Sequence, residues 1–124
     1  MNRRSVIKSI LSLPFLGFLK PAKAEEETEF FTGCFKIPNK TTWYRNGKLH
    51  RDDGPAVESA NGTKAWYKYG RRHRSNGPAI IHPDGYKEWW SNGEIHREDG
   101  PAIISPYGYQ AWFLNGTQIR RQEL

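Results

Sequence analysis

The sequence predicts an all-β fold, a repetitive array of antiparallel β-hairpins that meanders from one unit to the next. The first observation is a 23-residue period, in which tryptophan and most positions between the tryptophans recur. The second is that turn-forming pairs ending in glycine recur in each unit, and pairs such as Asn-Gly reverse a β-chain. The third is that the segments between these turns are short, rich in aromatic and β-branched residues, and broken by glycine and proline. Such units contact mainly their neighbours and build an extended surface.

Residues 1–24 have the layout of an export signal peptide. Arg3 and Arg4 form a basic start, residues 10–19 are apolar, and small residues precede a cleavage site near Ala24. The apolar run is well short of the roughly 20 residues that a membrane-spanning helix needs. The basic start resembles a twin-arginine signal, with general secretion as the alternative. We therefore expect an exported protein, periplasmic or secreted.

The charge of the chain lies mostly in this signal. The net charge is +6, but residues 1–24 contain five basic residues and no acidic ones, so residues 25–124 carry only +1. A charge this small gives no electrostatic footprint for nucleic acid, and no nucleic-acid partner is expected. One basic cluster remains, formed by Arg71, Arg72, His73 and Arg74. It is a candidate contact for phosphate, an acidic polymer or anionic lipid, with a solvated loop as the alternative.

Residues 25–40 are predicted to be an acidic linker followed by a capping strand. Four glutamates lie within residues 25–29, whereas residues 30–37 turn apolar and can close off the first repeat as a strand. Cys34 is the single cysteine, which excludes an internal disulfide. Because Phe31, Phe35 and Ile37 surround it, we expect a buried thiol, with pairing between chains as the alternative.

Residues 41–120 hold four repeats. Copies 1, 2 and 3 span residues 43–65, 66–88 and 89–111, and a partial copy 4 spans residues 112–120, followed by a tail at 121–124. We expect two antiparallel strands per copy, such as residues 64–68 and 79–82, joined by a longer His-Arg-x-x-Gly-Pro-Ala connection. The glycines of the first turn are Gly47, Gly70, Gly93 and Gly116. Pro55, Pro78 and Pro101 cannot donate to a ladder and should lie at strand starts or bulges.

The unit resembles the MORN repeat and its bacterial and viral variants. The resemblance covers about residues 41–120 and rests on the 23-residue period, an aromatic residue three positions before a glycine, and a histidine three positions after it. Tyr67, Gly70 and His73 are one example. The resemblance implies a meander of stacked β-hairpins. It also implies roles in scaffolding, protein contact or membrane-surface contact, with antitoxins among the variants. The arginine after each histidine, the added Gly-Pro-Ala and the extra tryptophan depart from the family pattern.

The extra tryptophan predicts two aromatic ladders, because adjacent residues of a strand point to opposite faces. The first ladder, expected to form the core, is Tyr44, Tyr67, Trp90 and Phe113. The second, with polar flanks, is Trp43, Trp66, Trp89 and Trp112. An exposed aromatic stripe marks an interaction site, so the second ladder is the candidate binding face. The alternative is that each tryptophan packs on a Gly-Pro-Ala segment.

Three histidines, His50, His73 and His96, recur with arginine and acids and suggest a metal site. Their spacing argues against it, because ligands lie about 2.0–2.1 Å from one zinc, whereas equivalent strands of successive hairpins are roughly 9.5 Å apart. We expect a structural role for these histidines and neither a metal nor a cofactor. The chain also lacks a nucleophile motif, Cys34 has no histidine near it in the sequence, and the copies are alike, which favours a protein without enzymatic activity.

These observations predict an exported, non-enzymatic repeat protein that binds a protein partner, either in the cell envelope or secreted. Three alternatives stay open. A rung spacing of about 9.5 Å suits sugar rings, so the tryptophan ladder could bind an envelope glycan. The chain could be an antitoxin-like inhibitor, or it could be a scaffold at a membrane surface.

Overall fold

The computed structural model describes residues 31–123, and the predicted signal peptide and acidic linker start lie outside them. Within these residues the chain forms fourteen β-strands and no helix, so the predicted all-β class is confirmed. In chain order the strands are β1 Gly33–Ile37, β2 Lys40–Arg45, β3 Lys48–Leu49, β4 Val57–Ser59, β5 Lys64–Ala65, β6 Tyr67–Lys68, β7 Arg71–Arg72, β8 Ile80–Ile81, β9 Lys87–Glu88, β10 Trp90–Ser91, β11 Glu94–Ile95, β12 Ile103–Ile104, β13 Gln110–Leu114 and β14 Thr117–Gln122.

The strands form one long antiparallel meander with side hairpins. Nine strands follow the order β1-β2-β4-β5-β8-β9-β12-β13-β14, β3 pairs with β2 beside this path, and β6-β7 and β10-β11 are separate hairpins. Each copy therefore contributes to two rows of hairpins. The predicted strand over residues 64–68 is present as β5 and β6, interrupted at Trp66, and the strand over residues 79–82 is present as β8. The short returning strand of the second row, such as β7, was not predicted.

The two sets of predicted turns have different backbone geometry. In the first set both central residues have positive φ, as at Asn46 (51°) and Gly47 (78°), which is the type I′ geometry that suits a two-residue hairpin. Tyr69 takes the Asn position in copy 2 with φ 48°. In the second set only the glycine has positive φ among the turn residues, as at Gly62 (97°), and the amide of Gly62 donates to the carbonyl of Ser59. This second turn is a type I turn with a bulge.

The core is thin and built from small residues. The Gly-Pro-Ala alanines Ala56, Ala79 and Ala102 are fully buried, together with Ala111, and Ile80 is almost so. Both aromatic ladders are only half-buried, so the first ladder does not form the closed core that the flanking polarity predicted. The second row of hairpins has two-residue strands such as β6 and β10, which are too short to cover the large rings. Each Gly-Pro-Ala proline lies two residues before a strand, close to its expected position at the strand start.

Both ends of the array are strands. The predicted capping strand is present as β1, which pairs with β2 over its whole length. Cys34 lies on it but is exposed, so the prediction of a buried thiol is wrong, because β1 is an edge strand and no part of residues 31–123 packs over Cys34. At the other end β14 runs through Gln122, opposite Gln110, so part of the expected tail continues the last hairpin.

Candidate functional site

Each tryptophan of the candidate binding face carries an arginine from its own copy. The guanidinium carbon lies 3.8 Å from the ring centroid for Arg51 on Trp43, and the same distance for Arg74 on Trp66. Arg97 lies 3.9 Å from the centroid of Trp89, and Arg120 lies 4.4 Å from that of Trp112. These are cation–π stacks. They explain why the tryptophans are half-buried.

The stacked arginines are fixed by the connection that follows them. In the first three copies Nη1 donates to the carbonyl of the Gly-Pro-Ala proline, at 3.1 Å for Arg51 to Pro55 and 3.0 Å for Arg74 to Pro78. The preceding glycine is needed for this packing, because a Cβ on Gly54 would lie 3.0 Å from the Arg51 guanidinium carbon. Sequence reasoning missed this unit. Its signal was the fixed spacing of eight residues between each tryptophan and its arginine.

The histidines join each copy to the next. Nδ1 of His50, His73 and His96 accepts the backbone N–H of Tyr69, Asn92 and Asn115 at 3.0, 3.0 and 2.8 Å. The proton of each neutral imidazole is therefore on Nε2, which is a donor. A structural role is thus supported for these histidines. At the N-terminal end the hydroxyl of Thr32 accepts the equivalent N–H of Asn46 at 2.9 Å, so it replaces the histidine of a preceding copy.

In copies 1 and 3 the histidine and arginine also hold the acidic pair that follows them. Nε2 of His50 lies 2.9 Å from Asp52, and Nε of Arg51 donates to Asp53 at 3.1 Å. The hydrogen bond from His50, and then that from Arg45, lowers the pKa of the Asp52 carboxyl. In copy 3 the same atoms of His96 and Arg97 lie 3.4 Å from Glu98 and 3.1 Å from Asp99. These carboxylates are therefore hydrogen-bonded within their own copies.

The basic cluster of copy 2 is split between surfaces. Arg71 pairs across its hairpin with Lys68, whereas Arg72 pairs with Tyr67, and neighbours on a strand point to opposite faces. Arg72 donates Nη2 to the Tyr67 hydroxyl at 3.1 Å, and its guanidinium carbon lies 4.8 Å from the Trp90 centroid. It therefore bridges two rungs of the first ladder, while Arg74 lies on the second ladder.

Clefts open between successive copies along the tryptophan face. One, of about 520 Å³, lies between copies 1 and 2 and is lined by Asp52, Trp66, His73 and Arg74 among others. The next, of about 670 Å³, lies between copies 2 and 3 and includes His73, Arg74, Trp89 and Arg97. His73 and Arg74 line both clefts. The structure thus brings Trp66 and Arg74 of the predicted site together, and it leaves Arg71 outside both clefts.

A third depression lies at the opposite edge of the array, where the second set of turns meets. It has a volume of about 550 Å³ and is lined by Pro83, Tyr86, Pro106 and Tyr107 among others. Burial, and then the charge of Glu88, raises the pKa of the Tyr86 hydroxyl, which keeps it neutral. Stacked turns form this surface, since a Cβ on Gly62 would meet Pro83 at 3.4 Å.

No group of three histidine, cysteine or acidic side chains within residues 31–123 is placed to hold a metal ion. The same residues contain no helix long and apolar enough to span a membrane. No protein-family model, curated protein or solved structure matches the chain.

Proposed function

We propose that the chain is an exported, non-enzymatic, MORN-like repeat protein that binds a protein partner through its tryptophan–arginine face. The observation that carries the proposal is the row of stacked Arg51–Trp43, Arg74–Trp66 and Arg97–Trp89 pairs beside inter-copy clefts. Tryptophan and arginine are the residues in which protein-binding energy concentrates. A half-exposed stack presents the apolar edge of the indole beside the N–H donors of the guanidinium. It can therefore contact both the apolar and the polar groups of a polypeptide.

The same stacks weigh against the glycan alternative. A sugar ring stacks on an open aromatic face, and one of the two faces of each tryptophan is already covered by a guanidinium at 3.8–4.4 Å from the ring centroid, which leaves at most one face for a sugar. A membrane-surface scaffold would need basic residues gathered on one face, whereas Arg71 and Arg72 lie on opposite faces. An antitoxin-like inhibitor remains one form that protein binding could take.

Site-specific photocrosslinking in the producing cell tests the proposal. Benzoylphenylalanine replaces Asn76, which lines both clefts, and in a control it replaces Asn61 at the opposite edge. We expect a discrete adduct with one polypeptide from position 76, and none at that mass from position 61. Equal adducts from both positions, or an adduct that disappears on glycan digestion, would contradict protein binding through this face.

Export is tested separately, because residues 1–24 carry it. Replacing both Arg3 and Arg4 with lysine should leave the precursor in the cytoplasm if the signal is of the twin-arginine kind. Cell fractionation and the mass of the mature chain measure the outcome. Normal export of the lysine variant would indicate general secretion, and a mature protein that retains residues 1–24 would contradict cleavage near Ala24.

A further inference from the structure

Copy 2 differs from its neighbours at the loop that follows the histidine and arginine. Copies 1 and 3 have acidic pairs there, Asp52-Asp53 and Glu98-Asp99, whereas copy 2 has Ser75-Asn76. No ion pair within residues 31–123 involves His73 or Arg74. The two side chains are otherwise placed as in the other copies, with Asn92 bound to His73 Nδ1 and Pro78 bound to Arg74 Nη1.

The neighbouring copies show which acceptor groups these N–H donors bind. In copy 1 carboxylate oxygens lie 2.9 Å from His50 Nε2 and 3.1 Å from Arg51 Nε, and the pattern recurs in copy 3. The bond from Asn92 leaves the His73 proton on Nε2, so this atom is a donor without protonation of the ring. Copy 2 therefore presents an N–H from histidine and an N–H from arginine where its neighbours place two carboxylates.

The surroundings of these donors favour an external carboxylate. His73 and Arg74 line both clefts, so a ligand can reach them from solvent. Burial lowers the pKa of the Arg74 guanidinium, and no carboxylate within residues 31–123 forms an ion pair with it. The acids across the clefts are held by their own copies, as Asp53 is by Arg51 and Asp99 is by Arg97, so they do not supply a partner. Lys68 adds a further positive charge near His73.

We propose that copy 2 is a binding site for two neighbouring carboxylates of a partner polypeptide, received by His73 Nε2 and Arg74 Nε. This site specifies the chemistry of the proposed protein binding and rests on it. Ser75 and Asn76 stand where copies 1 and 3 have acidic residues, so the partner supplies the carboxylates. Charge-assisted hydrogen bonds of this kind are stronger than neutral ones. The tryptophan–arginine stack holds the guanidinium in place before binding.

The experiment titrates the ¹⁵N-labelled protein, purified after export, with a short peptide that carries a Glu-Asp pair between glycines and serines. A matched peptide carries Gln-Asn instead. We expect the acidic peptide to shift the Arg74 Nε–H signal and the amides of Ser75 and Asn76, and the neutral peptide to leave them in place. Shifts spread equally over Arg51 and Arg97 would overturn the proposal.

Three variants separate the site from general electrostatics. S75E/N76D rebuilds the acidic loop of copy 3 in copy 2, so it should fold and weaken peptide binding by about tenfold or more. A60E/N61D adds the same charge at the opposite edge and should bind like the wild type. E98S/D99N should create a second site, seen as new shifts at Arg97. Equal loss in A60E/N61D, undiminished binding in S75E/N76D, or no new site in E98S/D99N would overturn the proposal.

The photocrosslink at position 76 distinguishes this proposal from the broader one. A protein adduct from position 76 that persists when Ser75 is also replaced by glutamate, together with failed peptide binding by the wild type, would contradict the carboxylate site and leave protein binding intact. Specific peptide shifts at Arg74 without any protein adduct in the cell would support a carboxylate site on this face and contradict the proposed protein partner.

Discussion

At the scale of single residues, the molecule repeats one unit built from tryptophan, arginine and the carbonyl of a proline. The guanidinium of Arg97 stacks on Trp89, donates to Pro101 and holds Asp99. The planar guanidinium has N–H donors on several edges, so it can stack on the ring, donate to the carbonyl and bind the carboxylate at the same time. Lysine can carry the charge but cannot both stack and donate in this geometry.

Replacing Arg97 with lysine should therefore lower the free energy of unfolding by about 1–2 kcal/mol. Urea denaturation followed by tryptophan emission measures it. Arg71→Lys is the matched control, because Arg71 is exposed and lies on β7, and we expect a change below about 0.5 kcal/mol there. An equal loss in both variants would contradict a specific role for the stack.

His73 makes stability depend on pH. Burial, and then the charge of Lys68, lowers its pKa below the ordinary value of 6.5. The unfolded chain thus takes up a proton first as the pH falls, so the contribution of His73 is complete above pH 6.5 and is lost as the pH falls through the folded pKa. Protonation also places a hydrogen on Nδ1, against the N–H of Asn92.

We expect the urea midpoint of the wild type to fall on acidification from about pH 7.5 to about pH 5. His73→Ala should be less stable at neutral pH and show a shallower dependence. His82→Ala serves as the control, because Nδ1 of His82 pairs with the Thr63 hydroxyl rather than with a backbone amide of the next copy. A pH dependence in His73→Ala as steep as that of the wild type would contradict this origin.

At the scale of elements, the first turn of each hairpin joins neighbouring copies as well as reversing the chain. The amide of Gly93 donates to the carbonyl of Arg72 at 2.9 Å, while φ at Gly93 is 85°. A side chain at this position would be strained and would contact the stem of Arg71 at 3.6 Å. Hairpin geometry and inter-copy bonding thus depend on the same residue.

Gly93→Ala should cost about 1–2 kcal/mol of unfolding free energy, because alanine rarely adopts this backbone conformation. Asn92→Gly in the same turn should change it by less than about 0.5 kcal/mol, since glycine accepts the φ of 50° found there. Chemical denaturation compares the two. A tolerated Gly93→Ala would mean that the turn adopts another conformation at little cost.

The turns and the capping strand were predictable because glycine, asparagine and the 23-residue period act locally. The tryptophan–arginine stack was not predicted. Alternation along a strand predicts the face on which a side chain lies, but it does not show where the chain places Arg74, eight residues after Trp66. The core was misjudged for a related reason. Flanking polarity predicted that the ladder of Tyr67 and Trp90 would be buried. The side chains that a thin sheet buries completely are instead small ones, the alanines such as Ala79.

The candidate site was predicted in part. The tryptophans and Arg74 were identified from the sequence, and the Ser75-Asn76 difference was visible there as well. Its meaning depended on the structure, because only the contacts of Asp53 and Asp99 show that the missing acids are partners of the arginine. Arg71 belongs to the same basic segment of the sequence, but alternation along the strand places it outside the clefts.

At the scale of the whole molecule, the contacts between copies have the same period as the sequence. The repeat histidines His50, His73 and His96 each accept an amide 19 residues ahead. The turn glycines Gly70, Gly93 and Gly116 each donate to a carbonyl 21 residues back. Stability is therefore a sum over copies and their interfaces. Removing one whole period should preserve every type of contact.

Deleting residues 87–109 joins Tyr86 to Gln110 and should leave a folded, shorter array with a lower free energy of unfolding. Asn115 would then donate to His73 in place of Asn92, so the site in copy 2 should still bind the acidic peptide. Deleting residues 64–86 removes the same length but takes His73 and Arg74 away, and peptide binding should be lost from an equally folded chain.

A deletion of residues 87–108 is one residue short of the period. The resulting chain should unfold, because a shift of one residue moves side chains to the opposite face. Circular dichroism and the peptide titration measure these outcomes, and loss of folding in both full-period deletions would contradict a modular array.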